Sequence, residues 1–235
     1  MVTTSVSSVL AWEADCDSDL QYFRSLSWSA PIISKPEVRP YKAESPFRTR
    51  RGMIPVVNSF MFHKGGLLRH VSLVAPANVT TFASTLSDVS APHLPELPTA
   101  SKRRIRTLGS LSPRGAEEYP IHLDFLTLGP ALHGPPRTVH GGVLSLLADG
   151  ICAKTAWMHK DPLKQIYTAR IQIQFLKPAI LDDGDTISIL AKSRIVQHLT
   201  GLGKIVVIAQ FEGSQGDVYA TAESLLLERS WRATL

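Results

Sequence analysis

The stretch His140–His159, HGGVLSLLADGICAKTAWMH, constrains the fold of this chain more than any other. From Val143 to Met158 it is almost continuously apolar or small, which predicts a helix buried nearly all round. Such a helix has to be enclosed by the rest of the chain. One lone carboxylate, Asp149, interrupts it. Desolvating a charge is expensive, and acids are seldom fully buried without a reason. Asp149 is therefore a candidate functional group. The structural alternative is a carboxylate satisfied by backbone N–H groups.

The helix start is a second candidate. Gly141 and Gly142 permit close approach of a backbone or a ligand to the first turn. The first N–H groups of a helix lack internal partners, and the dipole there favours negative charge. That is the chemistry of an anion or oxyanion site, although glycines at a helix start also serve simply as a turn. Asp149 follows Gly142 by seven residues, about 10.5 Å along the axis at ~1.5 Å per residue. That is too far for both to act on one small group. Either the two features are unrelated, or two copies pack antiparallel and each site draws on both.

Strand-like runs surround the helix. Tyr119–Leu128 precedes it, and Ile166–Lys177, Thr186–His198, Gly203–Glu212 and Asp217–Glu228 follow. They are rich in Ile, Val, Thr, Tyr and Phe and are separated by the turn signals DDGD, LTGLG and GSQGD. Ile171, Ile173 and Phe175 alternate with Gln172 and Gln174, as in a half-buried strand. One helix followed by consecutive antiparallel strands predicts an α+β architecture, an antiparallel sheet wrapped around one long central helix.

HGGVLSLLAD followed by YTARIQIQFLKPA and meandering strands resembles the hot-dog fold. More narrowly it is similar to the PaaI/THEM4-like acyl-CoA thioesterases of the fungal type. Their pattern is HGG, an Asp nine residues after the His, then T-A-x-[LI]-x-[IV]-x-[FY]-x-[RK]-P. Here His140, Asp149 and Thr168-Ala169 through Lys177-Pro178 stand at those places. The resemblance covers roughly residues 119–229, and Asn58–Pro76, read as a hairpin, resembles a segment before the core in fungal relatives.

The resemblance implies roles. Asp149 would activate water, or attack the thioester carbonyl itself. The N–H of Gly141 or Gly142 would polarise that carbonyl. His140 would position the loop, and Thr168 would orient the water. Asp and Gly of one site would come from different subunits, which agrees with the spacing. Many relatives carry an Asn six or seven residues before the His, where this chain has His133 and Gly134. Either His133 substitutes as a donor or the oxyanion hole is weaker. Arg170, Lys177 and Lys204 are the candidates for CoA phosphate, with Arg194 nearby. The plain alternative for each is a solvated strand face. Coenzyme A enters as part of the substrate, and no separate cofactor is expected.

Other chemistries find little support. No G-x-S-x-G elbow accompanies Ser145, Ser188 or Ser193. The eight histidines form no H-x-x-x-H pair on a helix and there is no C-x-x-C, so no metal site is expected. His63, His70, His159 and His198 read as surface or turn residues. Phosphate-binding glycine motifs are absent. Cys16 and Cys152 are far apart, and Cys152 reads as apolar filler in the helix, which suits a reducing compartment. The net charge of +5 is concentrated in Arg48–Arg51 and Lys102–Arg106. These clusters lie in Pro/Ser/Thr-rich segments without interleaved aromatics, so solvated loops are favoured over nucleic-acid binding. No apolar run approaches the ~18–20 residues of a membrane span, and no targeting segment stands out, so the cytosol is expected.

The first half is less patterned. A short amphipathic helix is expected around Asp17–Leu26, and residues 31–55 look extended. Residues 1–57 are taken as a partly extended or disordered extension and 58–235 as the thioesterase domain, with a long insertion at about 76–118. That insertion reads as a surface loop or as a lid over an acyl channel. The expected activity is hydrolysis of an acyl-CoA or acyl carrier protein thioester by a homodimer or dimer of dimers. A polyketide substrate in specialised metabolism fits the fungal resemblance. The alternatives are a hot-dog enzyme that dehydrates, cyclises or releases a polyketide intermediate, and a non-catalytic acyl-CoA-binding dimer.

Overall fold

The computed structural model describes residues 17–40, 65–76, 119–135, 137–182 and 184–230. Helix α1 (residues 17–25) and the short α2 (Ala30–Ile33) come first, followed by β1 (Arg39–Pro40), β2 (Leu67–Ala75) and β3 (Ile121–Leu128). The long helix α3 spans Gly141–Trp157, and β4 (Lys164–Phe175), β5 (Ile187–Leu199), β6 (Lys204–Glu212) and β7 (Val218–Ser230) complete the chain. The strands form one seven-stranded antiparallel sheet in the order β1-β2-β3-β5-β6-β7-β4. The strand that follows α3 crosses to the far edge, so the helix is laid across the sheet. This is the hot-dog arrangement, with β1 and β2 added outside β3.

Every strand and the long helix expected from sequence are present. The helix starts two residues earlier than the apolar run because the Gly141-Gly142 pair already has helical geometry. Of the hairpin expected over Asn58–Pro76, the described part is a single strand, β2, which among the described residues pairs with β1 and β3. Its first residues, the insertion and the basic clusters lie outside the described residues. The amphipathic helix near Asp17 is α1.

The sheet is covered on both faces. On one, α3 buries Val143, Leu144, Leu147, Ala148, Ile151 and Cys152 against Leu126, Ile189, Val207 and Ala222. On the other, Phe23, Ile33 and Val38 pack on Val71, Leu73, Leu123, Phe125 and Leu190. Asp19 of α1 ties the second layer down: it accepts a hydrogen bond from the His70 N–H at 3.0 Å and pairs with Arg69 at 3.1 Å. This double coverage explains why every residue of β3 is buried and why its sequence alternates only partly.

Candidate active site

The start of α3 is capped by its own histidine. His140 sits in extended geometry at the N-cap, and its Nδ1 accepts from the Gly142 N–H at 3.0 Å. That bond requires an unprotonated Nδ1, so the neutral ring carries its proton on Nε2, at an exposed position. The Gly142 donor is thereby occupied inside the chain. The Gly141 N–H makes no hydrogen bond among the described residues, while the Val143 and Leu144 amides bond to the His140 carbonyl. Gly142 is needed for close approach, because a Cβ there would lie 2.9 Å from His140 Nδ1. A Cβ on Gly141 would lie 3.4 Å from the Phe175 ring. The ring at the end of β4 therefore lies over the helix start, a neighbour that sequence reasoning did not identify.

Asp149 lies on the half-exposed side of α3, which corrects the expectation of a helix buried nearly all round. Its Oδ1 accepts a hydrogen bond from Thr168 Oγ1 at 2.8 Å. The pair exists because of an irregularity in β4. Thr168 stands opposite Leu226 and Arg170 opposite Leu225, so Ala169 is an extra residue on the β4 side. Ile171 and Ile173 pack against the α3 core. Strict alternation would turn Thr168, three residues before Ile171, to the other face; the bulge restores it to the helix side.

The loop between β3 and α3 folds back on itself. The His140 N–H donates to the Leu132 carbonyl at 3.0 Å, and Gly134 N–H to Thr138 at 2.8 Å. His133 thus neighbours Val139 through a β-bridge, but its Nε2 is turned to the Asp185 carbonyl at 3.4 Å. Among the candidates for phosphate, Arg170 is paired with Glu223 at 2.8 Å and Lys177 with Asp217 at 2.5 Å. Lys204, half-buried at the start of β6, has no ion pair among the described residues.

The buried charge lies elsewhere. Asp124 of β3 and Lys154 of α3 are both buried and directly paired. Asp124 also accepts from Ser72 Oγ at 2.7 Å and bonds His70 Nε2 at 2.9 Å. The Lys154 ammonium and the His70 bond hold its carboxyl well below the usual range, against the opposing effect of burial. His198 is buried too, with Nδ1 2.9 Å from Tyr119 Oη. His159 is partly buried, 3.2 Å from His122. The surface or turn positions expected for His70 and His198 are therefore corrected, since both are buried in strands with a polar partner, whereas His159 does lie in a turn. His63 lies outside the described residues. Cys152 is fully buried, and burial pushes its thiol far up.

With this geometry in view, residues 137–192 match the model of the Thioesterase superfamily. The matched segment runs from the loop before α3 through Lys192 and so contains His140, Gly141, Asp149 and Thr168. Solved structures similar to the chain include a thioesterase from Haemophilus influenzae, 14% identical over 56% of this chain and 82% of that one, with a TM-score of 0.43. A Bacillus halodurans protein solved with CoA is 24% identical over 45% of this chain and 70% of that one, with a TM-score of 0.40. A putative thioesterase, a phenylacetic acid degradation-related protein from Ralstonia eutropha, is 19% identical over 46% and 75%, with a TM-score of 0.40. No curated protein matches the chain.

Proposed function

We propose that this chain is an acyl-thioester hydrolase acting on an acyl-CoA or carrier-protein-bound acyl group. The observation that carries the reading is the 2.8 Å bond from Thr168 to Asp149, made possible by the β4 bulge and lying within the segment that matches the superfamily. A carboxylate open to water and oriented by a hydroxyl is a suitable general base. In this reading Asp149 takes a proton from water, and the water oxygen bonds to the thioester carbonyl carbon. The Gly141 N–H donates to the oxyanion. The carbonyl re-forms as the C–S bond breaks, and the thiolate leaves with the proton returned by Asp149.

Gly141 and Asp149 are eight residues apart on one helix, about 12 Å along the axis. One chain therefore does not bring base and oxyanion donor to the same carbonyl. A homodimer with antiparallel α3 helices does, each site taking Asp149 and Thr168 from one copy and Gly141 from the other. Strand β4 offers the surface for it: it is a twelve-residue strand at the sheet edge that among the described residues pairs only with β7, and Tyr167, Phe175 and Leu176 are about half exposed. Lys204 is the best placed of the three basic candidates for CoA phosphate, since Arg170 and Lys177 already face carboxylates. His140 positions the loop, and His133 is retained as a supporting residue of that loop. The PaaI/THEM4-like subtype, with residues 58–235 as the catalytic unit and a polyketide or other specialised acyl group as substrate, remains our narrower reading.

Mixing two variants tests the shared site. Asp149→Asn and Gly141→Trp homodimers are each expected to be inactive, and subunit exchange is expected to restore about a quarter of parental thiol release, because half the dimers carry one intact site. No restoration despite exchange would place both groups of a site on one chain. The absence of thiol release by the parent from both acyl-CoA and acyl carrier protein would remove the hydrolase reading.

A further inference from the structure

Strands β1 and β2 lie outside the segment that matches the superfamily, and with the end of α3 they enclose a second cavity of about 650 Å³. Its walls are apolar, formed by Pro36, Pro40, Val74, Pro76, Pro120 and Met158. His122 and His159 supply the polar floor, and the exposed Glu37 and Arg39 stand at the mouth. Met158 follows Gly141 by seventeen residues, about 25 Å along the helix, and Asp149 by about 14 Å. The cavity is thus at the opposite end of α3 from the Gly141 turn.

We propose that this cavity is a second, small-molecule site that takes an apolar carboxylate, with its chain among the prolines and Met158 and its head group at the His122–His159 pair. The volume lies within the ~300–1,000 Å³ of ligand pockets, as does the combination of apolar walls with a few convergent polar groups. The two imidazole Nε2 atoms are 3.2 Å apart, so one ring donates and the other accepts. When His122 donates, His159 carries its proton on Nδ1 and has that N–H to offer a carboxylate.

The floor carries no charge of its own. Burial pushes His122 down to about 3 and also lowers His159, so both rings are neutral near pH 7. Glu37 and Arg39, of opposite charge, both line the cavity. A metal ion is the weaker occupant, because among the described residues no group of three His, Cys, Asp or Glu is arranged to hold one. This inference does not rest on the thioesterase reading.

Methionine-methyl NMR on the full chain reads the cavity directly, since Met158 is one of only four methionines. A Met158→Leu variant assigns its resonance. Titration with octanoate is expected to move the Met158 methyl to saturation, and 1-octanol to bind at least ~10-fold more weakly. His159→Leu is expected to weaken octanoate about tenfold and leave 1-octanol unchanged, the loss anticipated for one charge-assisted hydrogen bond. A Met158 methyl that ignores octanoate, or that responds equally to 1-octanol, would overturn the proposal. So would an octanoate affinity unchanged by His159→Leu.

Discussion

The middle and the C-terminal end of α3 carry charge in opposite ways. Near its middle, Asp149 faces the half-exposed side and meets a hydroxyl from a bulged edge strand. One and a half turns later, Lys154 is buried against Asp124, with His70 and Ser72 filling out the group. A carboxylate that must handle water needs access to it. A buried ion pair instead holds layers together, and its value depends on every member staying in place. Burial of charge therefore marks the structural end of this helix, and exposure with a single oriented partner marks the chemical end.

The largest expected effect breaks the buried end. Lys154→Met leaves the Asp124 charge without its ammonium, and removal of one partner from a buried pair typically costs about 3–5 kcal/mol. Urea unfolding should show that loss, and the double variant Lys154→Met/Asp124→Leu should recover a large part of it. Recovery would separate the penalty of a stranded charge from the net worth of the pair.

A second effect sharpens the chemical end. Thr168→Ala should reduce thiol release by roughly tenfold, as expected for the loss of one hydrogen bond to a charged group. Stability should change by less than about 1 kcal/mol, because the position is exposed. A large stability loss with unchanged turnover would reverse the assignment of the two ends.

A third effect lies in pH. His122 is held neutral, with its value lowered to about 3, whereas the unfolded chain protonates it near pH 6.5. Between those values the unfolded state binds more protons, so stability should decline as pH falls from 6.5 toward 3. His122→Asn should flatten that part of the urea-midpoint profile relative to the parent. An unchanged slope would assign the dependence to other groups.

Much of this contrast was not visible in sequence. The helix and the four following strands were legible because their periodicity and turn residues agree with the fold. Asp149 was legible as an acid in an apolar run, and Thr168 through the family pattern. What could not be read was how the two meet: Ile171, Ile173 and Phe175 set an alternation that excludes Thr168 from the same face, and only the bulge at Ala169 reconciles them. Nothing in the helix pattern singles out Lys154, the one basic residue in the last turn of α3. Its burial depends on Asp124, thirty residues away on β3, and on a β2 strand that supplies His70 and Ser72. His70 and His198, misread as surface or turn residues, share this cause, since their partners Asp124 and Tyr119 are distant in sequence. β3 looked only partly alternating because α1 and α2 cover the face that a sheet of this kind can leave to solvent.

The most direct test is free-thiol release from a panel of acyl-CoA and acyl carrier protein thioesters by the parent and by Asp149→Asn, with the urea midpoint of each recorded. The account predicts turnover by the parent, a loss of at least about 10²-fold in the variant, and nearly equal midpoints. Equal turnover by both proteins would contradict it and move the chemistry away from Asp149.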